Sequence, residues 1–252
     1  GSADQFRVSG RGELHLSVLI ENMRREGFEL AVGRPQVIVR EVDGQKQEPY
    51  ENVMADVEEQ HQGAIMEHLG LRRAEMTNME PDGKGRVRLT FVVPSRGLIG
   101  FRSLFLTLTS GTGILNSTFS HYGEYKPGDM AQRNNGVLVS MVKGKVLAFA
   151  LFNLQERGRM LIDPNVEVYE GQLIGIHSRG NDLVVNPTKG KQLTNMRASG
   201  TDENVILTPP VRFSLEQALD FIEDDELVEV TPNHLRLRKK LLTETERKRA
   251  SR

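Results

Sequence analysis

The sequence of 252 residues contains no cysteine and no tryptophan, and only 6% of its residues are aromatic. Without cysteine the chain can form no disulfide, thiolate nucleophile or cysteine-based zinc site, which fits a reducing cytosol. No apolar run approaches the roughly 20 residues that a membrane-spanning helix needs. Because 38% of the residues are hydrophobic and 27% are charged, we expect a soluble globular chain of two or three compact units.

The chain also lacks an excess of charge of one sign, since its formal net charge is −1 at pH 7. This argues against a uniformly basic nucleic-acid binder, but the charges are segregated near the C-terminus. Residues 214–229 carry a formal −7, whereas residues 234–252 carry a formal +6. Either the two runs neutralise each other, or the basic run binds a polyanion.

Motifs for enzyme chemistry are missing as well. Residues 82–86 and 188–191 contain Gly-Lys pairs, but neither segment has the spaced glycines followed by Gly-Lys-Ser/Thr and a helix that a phosphate-binding loop needs. The six histidines lack zinc-site spacing, and His121 is interpreted as an ordinary strand histidine. We therefore expect no catalytic residue, no metal and no cofactor in this chain.

The centre of the sequence predicts an α+β domain. Apolar residues alternate over 53–57 and over 87–93, and each stretch is followed by apolar residues at helical spacing. With a further strand over 114–122, the order is βαββαβ, which is the ferredoxin-like arrangement. We assign this domain to residues 47–125.

After residue 126, turns rich in glycine and proline separate short apolar runs, which predicts a mostly β domain over 126–252. We expect one hairpin over 137–151 and another over 166–177. Ser214, with Gln217 three residues later, predicts a capping box at the start of one helix. Thr243 and Glu246 predict a similar cap on a basic terminal helix.

The apolar pattern of residues 3–46 predicts one helix and two short strands around Pro35. These elements make up only part of a domain. A single helix and a hairpin cannot cover their own apolar face. The segment therefore either packs on its neighbour or forms part of a larger domain.

The segment 178–210 is long for a connection inside a compact domain, and such loops are often functional. Its first part, 178–200, carries a formal +3 together with asparagines and glycines that can approach a phosphate backbone. The alternative is an ordinary surface loop. The candidate RNA-binding residues in it are Arg179, Asn181, Lys189, Lys191, Asn195 and Arg197.

A second candidate RNA site lies at residues 95–102, where Arg96 and Arg102 flank glycines at a predicted helix start. Helix-start amides and guanidinium groups together suit a phosphate. The alternative is that Gly97 and Gly100 only allow the helix to pack closely on the sheet.

Several runs carry a resemblance to a known family. They are GRGELHL at 10–16, EEQHQG at 58–63, SRGLIGFR at 95–102, TG at 112–113 with SHY at 120–122, and TNMRASGTDE at 194–203. Nearly end to end, the chain resembles the C-terminal part of the BipA/TypA family of translational GTPases. Residues 47–125 resemble the fifth domain of EF-G, and the last run separates the BipA/TypA family from EF-G and LepA.

The resemblance implies a cytoplasmic, ribosome-associated protein that binds the 70S ribosome and its large subunit, contacts rRNA and A-site tRNA, and has roles in ribosome biogenesis and stress response. It also implies that residues 3–46 are the closing half of a domain like the third domain of EF-G. GTP binding and hydrolysis would then reside in a domain upstream of Gly1, with GTP as the cofactor of the whole protein. We expect a monomer without a membrane partner. The alternative is a regulatory protein that binds a small molecule between a ferredoxin-like domain and a β domain.

Overall fold

The computed structural model describes residues 5–128, 130, 133–190 and 206–250. Its helices are α1 (Glu13–Arg25), α2 (Gln62–Leu71), α3 (Ser95–Leu98), α4 (Phe101–Leu108), α5 (Ala148–Leu154), α6 (Leu215–Phe221) and α7 (Glu244–Ala250), with a 3-10 turn at Glu59–His61. Its strands are β1 (Leu30–Gly33), β2 (Arg40–Val42), β3 (Gln45–Glu58), β4 (Glu75–Pro81), β5 (Arg86–Pro94), β6 (Ile114–Glu124), β7 (Val137–Ser140), β8 (Gly144–Lys145), β9 (Gly158–Met160), β10 (Glu167–Val168), β11 (Leu173–His177), β12 (Leu183–Val185), β13 (Glu226–Val230) and β14 (Leu235–Lys239).

The chain divides into two compact units. The central unit is formed by residues 35–132, and the outer unit is formed by residues 1–34 together with 133–252. The central unit is thus an insertion in the sequence of the outer unit.

The central unit contains an antiparallel sheet in the order β4-β5-β3-β6, with β2 added beside the start of β3. Val53 of β3 lies opposite both Phe91 of β5 and Ser117 of β6, so β3 is an interior strand. Helix α2 connects β3 to β4, and α3 with α4 connects β5 to β6. The predicted ferredoxin-like order βαββαβ is confirmed.

One face of this sheet forms the core of the central unit with α2 and α4. The alternating apolar residues of β3 and β5 are buried, as their period of two requires. Phe101 and Phe105, four residues apart on α4, are 0% and 1% exposed. Complete burial of a side chain of this size contributes about 1.5–3 kcal/mol.

The outer unit has a middle layer of two buried strands, β7 and β11. On β7, Val137 and Val139 pack with α6 and the β13–β14 hairpin, whereas Leu138 packs with α5. On β11, Leu173 and Ile174 divide between the same two clusters. Because both faces of these strands are covered, apolar residues occupy consecutive positions at 137–139 and 173–174.

Residues 5–34 complete the outer unit. β1 pairs antiparallel with β13, and α1 packs beside α6. Ile20, Leu30 and Val32 contact the apolar cluster around α6. Residues 5–34 thus pack on the C-terminal part of the chain rather than on the adjacent segment, and their membership of a larger domain stays a prediction. The assignment of 3–46, 47–125 and 126–252 as domains stays a prediction.

Two predicted hairpins of the C-terminal part are wrong. Residues 148–154 form helix α5 rather than a strand, because Leu147, Leu151 and Leu154 lie at helical spacing and the last two are buried on one face. β10 pairs with β8, and β11 pairs with β7 and β9, so β10 and β11 are not partners.

Both predicted helix caps are confirmed. Ser214 Oγ accepts a hydrogen bond from Gln217 N at 3.2 Å, and Gln217 Oε1 accepts one from Ser214 N at 2.9 Å. Thr243 and Glu246 make the equivalent contacts at α7, at 3.2 and 3.1 Å. None of the helices described above is long and apolar enough to cross a membrane.

Candidate nucleic-acid interface

The turn at 95–102 holds its first arginine inside the central unit. Arg96 binds the carboxylate of Glu48 with two nitrogens, Nε at 2.5 Å and Nη2 at 3.1 Å. It also donates to the carbonyl oxygens of Gly128, at 2.9 Å, and Lys126. Glu48 is completely buried and accepts a further hydrogen bond from Lys126 N at 2.8 Å. Hydrogen bonding to Glu48 raises the pKa of Arg96, and the guanidinium group is engaged in these internal contacts.

The glycines of this turn have structural roles. A Cβ on Gly97 would lie 2.8 Å from the carbonyl oxygen of Arg72, whose Nη1 donates to the Gly97 carbonyl at 2.9 Å. Gly100 has a φ of +71°, a conformation that favours glycine. The packing explanation therefore fits Gly97, and the backbone conformation explains Gly100. Arg102 is exposed in the first turn of α4, whereas Arg96 is held by the internal contacts described above.

The loop after β11 presents Arg179 and Asn181 at the surface of the outer unit. Its backbone is held by hydrogen bonds from Gly136 N to the Arg179 carbonyl, at 2.8 Å, and between His177 Nδ1 and the Asn181 carbonyl, at 2.6 Å. A Cβ on Gly136 would lie 2.1 Å from the Asn181 carbonyl oxygen, so the two backbones approach closely. The two side chains thus extend from a well-anchored turn.

Lys189 is exposed at the end of a second anchored turn. Asn186 Oδ1 accepts hydrogen bonds from Thr188 N and Oγ1, at 2.9 and 2.8 Å, and Leu147 N donates to the Pro187 carbonyl at 3.1 Å. The predicted site residues Lys191, Asn195 and Arg197 lie outside the described residues.

Helix α5 is a part of this region that the sequence reasoning missed. Residues 186–190 lie beside α5, and together they line a pocket of about 390 Å³. Gln155, at the end of α5, donates to the Ile206 carbonyl and accepts from Thr208 N, both at 3.1 Å. The signal that could have identified the helix is the spacing of Leu147, Leu151 and Leu154.

The acidic and basic runs meet in the β13–β14 hairpin. Its register places Glu226 opposite Lys239 and Glu229 opposite Arg236. Lys239 Nζ lies 2.9 Å from Glu226, 2.8 Å from Asp225 and 2.6 Å from Asp182. For Lys239, Glu226 and Asp225, the explanation by mutual neutralisation is confirmed.

A second cation completes this buried cluster. Arg133 binds Glu226 with Nη1 and Nη2, each at 2.9 Å, and Glu226 is completely buried. Burial opposes the ionisation of Glu226, but Arg133 and Lys239 outweigh that effect and hold its pKa below the ordinary value. Glu223 accepts from Arg133 N at 2.5 Å and pairs with Arg34 at 3.0 Å.

The remaining sequence candidates for chemistry have structural contacts. The ring of His121 stacks on Tyr50, with centroids 5.2 Å apart, and its Nδ1 lies 3.0 Å from Ser120 Oγ. Asp82 Oδ1 accepts from the backbone N–H groups of Lys84 and Arg86, which lowers the pKa of Asp82 and closes the predicted turn between β4 and β5. Over the described ranges, no group of three or more His, Cys, Asp or Glu residues is placed to hold a metal ion.

Two family models match the chain, one mainly in the outer unit and one mainly in the central unit. Residues 135–244 match the family model of the TypA/BipA C-terminal domain, and residues 45–133 match that of the elongation factor G C-terminus. The chain is 70% identical over 249 residues to the "Large ribosomal subunit assembly factor BipA" of Haemophilus influenzae, covering 99% of this chain and 40% of that protein. It is also 70% identical over 250 residues to the protein of the same name from Escherichia coli K12, covering 99% of this chain and 41% of that protein.

Among solved structures, the crystal structure of ttk003000868 from Thermus thermophilus is 25% identical, with a TM-score of 0.32, over 33% of this chain and 12% of that chain. The present chain spans about 40% of the length of the curated relatives that it matches. The resemblance inferred from the motifs is confirmed by the two domain models and the identity to these relatives. The chain corresponds to the C-terminal region of the BipA/TypA proteins and belongs to that family.

Proposed function

We propose that this chain is the ribosome-binding C-terminal portion of a translational GTPase, and that it contacts rRNA and A-site tRNA. The observation that carries the proposal is its 70% identity, over 99% of its length, to proteins named large ribosomal subunit assembly factors. This identity favours the ribosomal interpretation over the small-molecule-binding alternative. The proposal includes binding to the 70S ribosome and its large subunit, and with it a cytoplasmic location.

The proposed RNA contacts are the exposed cations of the outer-unit loops. Arg179 and Lys189 are exposed on anchored turns, and neither forms an ion pair with any residue that the structure describes, so both can reach phosphates. Asn181 beside them can hydrogen-bond to a phosphate or ribose oxygen. Arg102 is a further candidate on the central unit. Lys191, Asn195 and Arg197 belong to the proposal from the sequence.

The proposal assigns GTP hydrolysis to a part of the whole protein outside these 252 residues. The turn between β4 and β5 that contains a Gly-Lys pair is a hairpin, which lacks the helix start of a phosphate-binding loop. We therefore expect this chain alone neither to bind nor to hydrolyse GTP. Saturable GTP binding in an equilibrium titration would contradict that part of the proposal.

The test is co-sedimentation of the chain with purified 70S ribosomes and large subunits over a salt series. An Arg179→Ala/Lys189→Ala double variant is compared with an Arg7→Ala/Arg11→Ala variant, which removes the same charge from another exposed part of the outer unit. If two phosphate contacts are lost, the slope of log affinity against log salt should fall by about 2 in the loop variant. The control should keep the original slope.

Equal binding of the two variants at every salt concentration would remove Arg179 and Lys189 from the interface. An absence of binding by the unmodified chain, when the longer protein binds, would show that other domains supply most of the affinity. Binding by neither protein would contradict the ribosomal function itself.

A further inference from the structure

The pocket beside α5 combines an apolar floor with a polar rim. Phe149, Ala150 and Leu154 are partly or fully buried and form its apolar part. Asn153, Asn186 and Lys189 supply two amides and an ammonium group. Its volume of about 390 Å³ falls in the range of roughly 300–1,000 Å³ that is usual for small-ligand pockets.

The amide of Asn186 has a fixed orientation. Its Oδ1 already accepts hydrogen bonds from Thr188 N and Oγ1, at 2.9 and 2.8 Å, so its Nδ2 is the group that can donate to a ligand. Asn153 is exposed on α5 and offers both a donor and an acceptor. The rim can therefore form hydrogen bonds with the edge of a planar heterocycle.

The ring of Phe149 and the ammonium group of Lys189 indicate that the heterocycle is the base of a nucleotide. Phe149 is partly buried and offers a surface on which a base can stack, and such stacking tolerates any base. Lys189 is exposed at the mouth, where an ammonium group can pair with a phosphate. A stacking surface, edge-binding amides and a phosphate-binding cation together are the usual requirements for an unstacked nucleotide of single-stranded RNA.

We infer that this pocket binds one unstacked nucleotide of a single-stranded RNA segment, with its base against Phe149, its edge at Asn153 and Asn186, and its phosphate at Lys189. The inference rests on the proposed function and specifies the form of RNA that the outer unit takes. It adds α5 to an interface that the sequence assigned only to the following loops.

The test uses a single-stranded RNA tetranucleotide that contains one 2-aminopurine, whose fluorescence responds to stacking. We expect a saturable fluorescence change on binding to the full chain, and competition by unlabelled RNA. An oligonucleotide of the same length with abasic sites at all four positions should compete poorly, because it keeps the phosphates but lacks every base. Equal competition by the abasic oligonucleotide would overturn the pocket and leave only phosphate binding.

The variant Phe149→Leu keeps an apolar side chain but removes the ring, and it should weaken binding by about 5- to 150-fold, the range found for loss of base stacking. The matched control is Phe152→Leu on the same helix, because Phe152 is 39% exposed and does not line the pocket. Affinity within about twofold of the unmodified chain is expected for that control, since it leaves the stacking surface intact. Equal losses in both variants would overturn the inference, as would a loss for the control alone.

Two further measurements test the identity of the ligand and the proposed ribosomal function separately. If AMP competes as strongly as the tetranucleotide, the ligand is a free mononucleotide and the RNA assignment is wrong. If the Phe149→Leu variant no longer binds the fluorescent RNA but still sediments with ribosomes, the pocket binds RNA and is one of several contacts with the ribosome. If the unmodified chain binds the RNA base but neither this chain nor the longer protein binds ribosomes, the proposed function fails while the nucleotide pocket stands.

Discussion

Among the described residues, each unit of the molecule completely buries one glutamate, but the two carboxylates are neutralised in different ways. In the central unit Glu48 pairs with one cation, Arg96, which is 48 residues away in the sequence. In the outer unit Glu226 pairs with Arg133 and with Lys239, the residue opposite it in the β13–β14 hairpin. In both units, a cation that the sequence analysis considered for RNA binding forms an ion pair inside the fold: Arg96 in the central unit and Lys239 in the outer unit. A count of local charge therefore overstates the capacity to bind phosphate.

The largest expected effect comes from breaking the outer-unit cluster with Glu226→Gln. This leaves Arg133 buried against a neutral amide, whereas Lys239 keeps Asp225 and Asp182. Loss of one partner of a buried ion pair usually costs about 3–5 kcal/mol. We expect faster hydrogen–deuterium exchange in β13 and β14 and a lower urea midpoint of the outer unit. Glu216→Gln, at an exposed position of α6, is the control and should leave both unchanged. An equal midpoint for the two variants would show that the cluster contributes nothing to stability.

A smaller effect is expected for Glu48→Gln in the central unit. Only one cation loses its partner, and Arg96 keeps its contacts with the carbonyls of Gly128 and Lys126. The expected loss is about 2–3 kcal/mol, in line with a charge-assisted hydrogen bond. Exchange should increase in β3 and in residues 126–128 but not in β13. Glu124→Gln, on the exposed end of β6, is the matched control, and a larger loss for Glu48→Gln than for Glu226→Gln would reverse the comparison.

The turn that carries Arg96 can be tested separately by Gly97→Ala. The new Cβ would meet the Arg72 carbonyl oxygen at 2.8 Å, and overpacking of this kind costs about 1–3 kcal/mol. Gly63→Ala on α2 meets nothing within 4 Å, so it should instead stabilise the central unit by about 0.5–1 kcal/mol. Thermal unfolding of the two variants should shift in opposite directions. A stabilising effect of Gly97→Ala would contradict the packing role.

The smallest effect is a pH dependence that comes from the outer-unit cluster. Because the folded-state pKa of Glu226 is lowered, its ionised form contributes stability above its ordinary pKa, near 4.5, and this contribution is lost as the pH falls from there through the folded-state pKa. The difference in urea midpoint between the unmodified chain and Glu226→Gln should therefore be largest near neutral pH and should shrink below about pH 4.5. A difference that stays constant down to about pH 3 would contradict this assignment.

Local patterns predicted the elements whose period was clear. The alternation in β3 and β5 identified the sheet of the central unit, and the Ser214–Gln217 cap identified the start of α6. The run around Leu147–Leu154 was misassigned because a short apolar run fits either a strand or a helix. That error hid Phe149 and Asn153, so the pocket beside α5 could not be predicted from the sequence.

Of the candidate site, only the exposed positions of its cations could be predicted from the sequence. Arg179 and Lys189 are at the surface as expected, although strand β12 (Leu183–Val185) lies between them, so the predicted loop is not continuous. Arg96 could not be distinguished from them by sequence, because its partner Glu48 comes from a distant strand. The packing of residues 3–46 could not be predicted for the same reason, because β1 pairs with β13, a strand far away in the sequence.

The sequence by itself determined the period of β3 and β5, the two helix caps, the turn between β4 and β5 and the family to which the motifs point. Each of these depends on residues within a few positions of one another, so local sterics and hydrogen bonding decide them. The tertiary structure decided which charges are neutralised internally, where residues 5–34 pack, and how α5 forms a pocket with residues 186–190. These depend on contacts between residues far apart in the sequence, and burial sets their energies only after the chain has folded.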